Sequence, residues 1–100
     1  MQPFFIPITM QIELLYFSTP KCSVCHVLYP QLEQLISTNY SQFKLKHIDA
    51  TQQPQLAAQN QVFTAPVLII FIDNKEQQRF ARHFSIQQVD AYLHRLSSFL

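Results

Sequence analysis

Not one of the 100 residues is glycine. The chain therefore lacks the residue that enters positive φ freely. Each turn needing that geometry is expected to fall on Asn or Asp, the next most tolerant types. Asp73-Asn74-Lys75 has this chemistry and follows a strong strand pattern, which predicts a hairpin with Asn74 as its left-handed residue. The same absence rules out a Gly-rich phosphate cradle.

The remaining pattern alternates between strand and helix. Residues 12–17 are a near-continuous apolar run, as expected of a strand covered on both faces, and Pro20 breaks it. From Ser23, the apolar positions Val24, Val27, Leu28, Leu32, Leu35 and Ile36 recur with helical spacing opposite Gln31, Glu33 and Gln34. This predicts an amphipathic helix of about four turns, ending at Thr38-Asn39 and kinked at Pro30. Residues 43–49 read as a second strand, and Pro54 opens a short helix to about residue 60. Residues 67–72, β-branched and aromatic, are the strongest strand, and residues 77–82 return more polar and nearer an edge. Ser85 and Gln88 form a capping box, with Phe84 and Val89 as its staple. Ile86, Val89, Leu93, Leu96 and Leu100 mark the buried face of a closing helix. The class is α/β, a buried sheet with helices on both faces.

Both cysteines lie where the first strand hands over to the first helix. Cys22 and Cys25 are three residues apart, close enough for a disulfide with modest adjustment. The first helical turn offers unpaired N–H groups and the positive end of the dipole, so a sulfur there is stabilised as the nucleophilic thiolate. Lys21 adds a nearby cation, and His26 is read as a partly exposed residue that tunes Cys22 by charge. Cys22, at the mouth of the turn, is expected to attack, and Cys25, one turn deeper, to resolve the mixed disulfide.

The length bounds the chain to one domain, and 48% hydrophobic residues against 13% charged indicate a packed core. A net charge of +1 with scattered Lys and Arg gives no footprint for nucleic acid or an anionic membrane. Residues 1–10 are expected to be a loose tail or an extra strand ahead of a domain over residues 11–100, with Met10 as an alternative start. Pro3 and Pro7 interrupt this apolar stretch and no Lys or Arg precedes it, so no secretory leader is expected. The expected setting is cytoplasmic, where a cysteine pair is more often catalytic than structural. Tyr16, Phe17, Phe43, Phe71 and Phe80 are assigned to the core, and Phe63 and Tyr29 to core packing over lining a groove. Asp49 is read as a cap or turn residue, and His47, His83 and His94 as without a chemical role.

This arrangement resembles the thioredoxin-like family over residues 11–99. The resemblance rests on the order of elements, on Cys22-x-x-Cys25, on Pro30 five residues after the second cysteine, and on Thr64-Ala65-Pro66 just before the strongest strand. It implies a three-layer fold with a mixed sheet of about four strands. It also implies a cis Pro66 facing the cysteines, and a substrate segment pairing with the backbone at Thr64, Ala65 and Pro66. On the same resemblance the protein is a monomeric thiol–disulfide oxidoreductase needing neither cofactor nor metal. Its partners would be a disulfide-bearing protein and an upstream reductase or small thiol. The departures are Lys21 where the family usually has Trp, Ser23-Val24 in place of Gly-Pro, and Tyr16 where a buried acid stands. Glu13, three residues from Tyr16, points to the opposite face.

Other readings compete. Cys22-Ser23-Val24-Cys25-His26 is also a haem-attachment pattern, but no methionine follows Met10 to serve as the usual distal ligand. A zinc site would need two further ligands, and the histidines form no paired spacing. Two alternatives of a different class are a non-catalytic binding module and a redox sensor.

Overall fold

The computed structural model describes residues 10–99. The two segments with unbroken apolar runs, β1 (Ile12–Ser18) and β3 (Val67–Ile72), take the interior of the sheet. Their more polar neighbours, β2 (Lys44–Asp49) and β4 (Lys75–Ala81), take the edges, giving the order β2-β1-β3-β4. This follows from coverage: an interior strand needs apolar side chains on both faces, whereas an edge strand tolerates charge. β1 pairs in parallel with β2 and antiparallel with β3, and β3 pairs antiparallel with β4. The parallel pair requires a crossover, which α1 (Ser23–Asn39) supplies. α2 (Pro54–Gln59) leads from β2 towards β3, with Pro54 in its first turn, and α3 (Ile86–Ser97) closes the chain behind the Ser85–Gln88 capping box.

Alternate residues of the central strands feed two cores. Ile12, Leu14, Tyr16, Leu68 and Ile70 meet Cys25, Leu28, Leu32 and Ile36 of α1 and Val89 and Leu93 of α3. Phe17, Ile48, Val67 and Ile69 pack with Ala57 and Val62 on the opposite face. Phe43 is buried in the first core, while Phe80 and Phe71 pack half-buried against the first and second. The layers are helix, sheet, helix. Glu13 lies on the strand face opposite Tyr16 and pairs with Lys46 at 3.5 Å.

Several expectations need correction. Val24 and Val27, assigned to the buried face of α1, are 54% and 65% exposed. Helical spacing fixes a direction, but none of the described residues covers Val24 or Val27. Positive φ occurs at Asp73 (50°) and Asn74 (70°), but also at Gln61 (57°) and Arg82 (66°), neither of which is Asn or Asp. The expected tail or strand over residues 1–10 falls, apart from Met10, outside the described residues, as does Leu100 on the closing face.

Candidate active site

The site grows from the end of β1. Thr19-Pro20-Lys21-Cys22 forms a turn closed by the Cys22 N–H donating to the Thr19 carbonyl at 3.1 Å, with Pro20 pre-setting its second position. The turn delivers Cys22 to the N-cap of α1, in extended conformation, and not into the first helical turn. There its sulfur accepts from the Cys25 N–H at 3.2 Å, the role a Ser or Asp oxygen usually plays. No acid occupies the first turn of α1, so no carboxylate offsets the positive end of this helix. The two sulfurs are joined in a disulfide with a Cα–Cα distance of 5.3 Å.

The two cysteines differ in access. Cys25 is 1% exposed and belongs to the core, while Cys22 is half-buried and lines an open groove of about 900 Å³. Thr64, Ala65 and Pro66 form another part of the lining. The Ala65–Pro66 peptide is cis. Among the described residues, no backbone hydrogen bond uses the amide or carbonyl of Phe63, Thr64 or Ala65, which leaves these groups open to a partner.

This loop is held from behind. The Arg79 guanidinium donates to the Asn60 carbonyl at 2.8 Å and the Gln61 carbonyl at 3.2 Å, and makes two bonds of 2.8 Å to Glu76. That pairing pulls the Glu76 carboxyl below its ordinary value, chiefly through the hydrogen bond from Arg79. Phe63, assigned to the core, is instead 80% exposed on the groove. The loop carries it over the rim, and Val62 takes the buried place beside it.

Beneath the cysteines lies a polar and aromatic cluster that sequence reasoning did not find. Tyr16, fully buried, donates its hydroxyl to the Cys25 carbonyl at 3.1 Å. Burial first, and the Tyr29 hydroxyl second, push its pKa up to about 12. Tyr29 packs half-buried against the core, 5.3 Å from the Tyr16 ring and stacked 4.1 Å from His47. Burial shifts the Tyr29 hydroxyl upward too, assisted by Glu33. His47 Nε2 lies 2.6 Å from the Ser18 hydroxyl. Its pKa is lowered, chiefly by burial, against the opposing charge of Asp49. The parallel register places Tyr16 beside His47 across β1 and β2, a relation invisible until the strands are paired.

Lys21 is exposed on the groove lining, while His26 donates from Nε2 to the Pro20 carbonyl at 3.0 Å and so ties α1 to the turn before it. Asp49 is a turn residue: one carboxylate oxygen accepts from the Thr51 amide at 2.9 Å and the Thr51 hydroxyl at 2.6 Å. His83 lines the groove, whereas His94 lies in the last turn of α3. Among the described residues no three His, Cys, Asp or Glu side chains converge to hold a metal, and no helix is long and apolar enough to cross a membrane.

Comparison with known proteins agrees with this geometry. The sequence model of the thioredoxin family matches residues 6–95. Thioredoxin-like protein YdfQ of Bacillus subtilis is 37% identical over 86 residues, covering 86% of this chain and 76% of that protein. A thioredoxin-like protein of Synechocystis, slr0233, is 30% identical over 87 residues, covering 87% and 80%. The structure of thioredoxin 1 from Thermosipho africanus superposes with a TM-score of 0.82 at 34% identity, over 87% of this chain and 96% of that one. A fold of this kind with a paired Cys22 and Cys25 supports thiol–disulfide redox chemistry in general. Likeness of this extent, over most of the length, makes this chain a member of the thioredoxin family.

Proposed function

We propose that the protein is a thiol–disulfide oxidoreductase in which Cys22 attacks and Cys25 resolves. The observation that carries this reading is the asymmetry of the pair. One sulfur sits at a helix N-cap on an open groove and receives an amide hydrogen bond, and the other is buried one turn further in. In the reduced protein the Cys25 amide and the α1 dipole stabilise Cys22 as thiolate, with Lys21 and His26 as flanking groups that tune it by charge.

The thiolate attacks one sulfur of a substrate disulfide, forms a Cys22–substrate disulfide and expels the other substrate sulfur as thiolate. An extended substrate segment pairs with the open backbone of Thr64 and Ala65 beside Pro66, which holds the mixed disulfide in place. Cys25, once deprotonated, attacks the Cys22 sulfur. This closes the Cys22–Cys25 disulfide and releases the second substrate thiolate. Two electrons pass from the dithiol to the substrate, and the bonded pair seen here is the product state. Restoring the dithiol takes two electrons from a small thiol or a reductase, a supply that fits a cytoplasmic setting.

Reduction of insulin by dithiothreitol, followed by turbidity, tests the reading. Wild-type protein accelerates precipitation, and Cys22→Ser falls to the rate of dithiothreitol alone. Equal rates for the two would leave a redox sensor or a binding module in its place.

A further inference from the structure

The groove beside Cys22 carries charge of one sign. Lys21, Arg82 and His83 line it, and no Asp or Glu does. The ion pairs among the described residues are Lys46–Glu13 and Arg79–Glu76, so neither Lys21 nor Arg82 is engaged by an acid there. Residues 1–9 contain no acid either. Asp49, next in sequence to the lining residues Ala50 and Thr51, is not itself part of the lining and turns onto Thr51.

Arg82 also holds its place against its own backbone. Its φ is 66°, a conformation that a β-carbon disfavours and glycine would accept. The geometry is fixed on both sides: the Arg82 N–H donates to the Pro66 carbonyl at 2.8 Å, and the His83 N–H reaches back to the Ala81 carbonyl at 2.8 Å. A residue with a long cationic side chain at a strained position, its backbone amide bonded to the proline of the groove, is the kind of outlier from which a functional role is inferred.

We propose that the groove selects extended polypeptide disulfides whose reacting cysteine is flanked by Asp or Glu. The inference rests on the oxidoreductase reading above and names its substrate class. A segment paired with the open backbone at residues 63–65 runs beside Pro66, with Lys21 next to Cys22 and the Arg82 amide bonded to the Pro66 carbonyl. Acidic neighbours of the substrate cysteine then meet opposite charge, and basic neighbours meet like charge. The exposed Val24 and Phe63 cover the backbone of the same segment. The chemistry is the two-step exchange already described, with the same balance of electrons.

The test uses disulfide-linked homodimeric peptides of one length in which the cysteine is flanked on both sides by Glu, Gln or Lys, together with oxidised glutathione. The pre-reduced protein is mixed with each, and each rate constant is divided by that substrate's rate with dithiothreitol, which removes intrinsic reactivity. At low salt the Glu peptide is reduced roughly three- to tenfold faster than the Gln peptide, as two solvent-exposed charge contacts allow, and the Lys peptide is slower than both. The advantage shrinks towards unity at an ionic strength of about 0.5 M. Arg82→Gly and Lys21→Gln each lower the Glu-to-Gln ratio, and Arg82→Lys keeps it. Because the ratio is taken within one variant, any change in the Cys22 thiolate divides out. Equal rates for Glu and Gln peptides, both above Cys22→Ser, overturn the acidic preference and leave the oxidoreductase standing. Rates no higher than Cys22→Ser for every substrate overturn both. Oxidised glutathione accelerated as much as the Glu peptide overturns the assignment to a polypeptide.

Discussion

The two ends of the β3–β4 hairpin ask the same of the backbone and receive different residues. At the closed end, positive φ falls on Asp73 and Asn74, the types that tolerate it best in a chain without glycine. Asp73 also clips the entry to β1: its carboxylate accepts from the Gln11 N–H at 3.0 Å, and its own N–H donates to the Gln11 carbonyl at 2.9 Å. At the open end, beside Pro66 and Cys22, the same backbone region is occupied by Arg82, and across the groove loop by Gln61. Residue choice follows conformation where the turn has only to turn. Where the turn borders the groove, the side chain presented to it takes precedence, and neighbouring contacts hold the strained backbone.

The largest expected effect concerns the contact that holds the open end together. Arg79 bonds both the Asn60 and Gln61 carbonyls and so sets the course of residues 61–65. Replacing it with Met keeps most of the aliphatic stem and removes these bonds together with the Glu76 pair. A loss of about 1–3 kcal/mol is expected, the range for hydrogen bonds to a charged group, with solvent exposure favouring the lower half. Urea unfolding measures it. Asp73→Gly, the matching change at the closed end, loses a single side-chain bond without adding left-handed strain and is expected to cost less. If it costs as much as Arg79→Met, the two ends are held alike and the contrast fails.

Glycine substitution sharpens the contrast at a smaller scale. A non-glycine residue in the left-handed region carries roughly 1–2 kcal/mol of strain, and Asn carries less. Arg82→Gly and Gln61→Gly are therefore each expected to raise stability by up to about 1 kcal/mol, the entropy of the freer unfolded chain offsetting part of the relief. Asn74→Gly is expected to gain only a few tenths of a kcal/mol, because Asn already suits its place. Thermal midpoints of the three variants decide the matter. A gain at Asn74 equal to that at Arg82 would mean that the open end bears no special strain.

These contrasts also mark what the amino-acid pattern reveals. The element order, the interior place of β1, the edge place of β4, the Ser85–Gln88 box, Asn74 and the Cys22–Cys25 junction follow from local chemistry, and local chemistry is written in neighbouring residues. Val24, Val27 and Phe63 defeat the same reasoning. Period and hydrophobicity say which residues seek cover, and only the packed chain says whether cover exists. No short-range signal marks Gln61 or Arg82 as left-handed, since their geometry is imposed by Arg79 from β4 and by the Pro66 carbonyl. The cluster under the cysteines depends on the β1–β2 register, which places Tyr16 beside His47 and brings Ser18 within 2.6 Å of the ring.

That cluster supplies the smallest expected effect, and it separates the cysteine end from the rest by pH. His47 titrates below its ordinary 6.5 in the fold, because partial desolvation of a ring stacked on Tyr29 disfavours the imidazolium. Asp49 and Glu33 oppose this shift and His26 adds to it. The unfolded chain therefore binds more protons than the folded one as pH falls below about 6.5, so folding favours the neutral ring. The contribution is complete above 6.5 and is lost progressively on acidification towards the lower folded value. Asp49 and Glu76 behave differently, because both carboxyls are held low by hydrogen bonds, from Thr51 and Arg79 respectively. Their stabilisation persists until pH falls below their ordinary values of 3.8 and 4.5 and then through their folded ones. Two windows result, one for the imidazole and one for the carboxyls. Thermal midpoints measured between pH 7 and pH 5 are expected to fall slightly for wild type and less for His47→Gln, while Arg79→Met, besides lowering the midpoint throughout, alters the pH slope only below about pH 4.5. An unchanged slope between pH 7 and pH 5 in His47→Gln would place the proton uptake elsewhere and remove His47 from any account of how the cysteine end responds to acid.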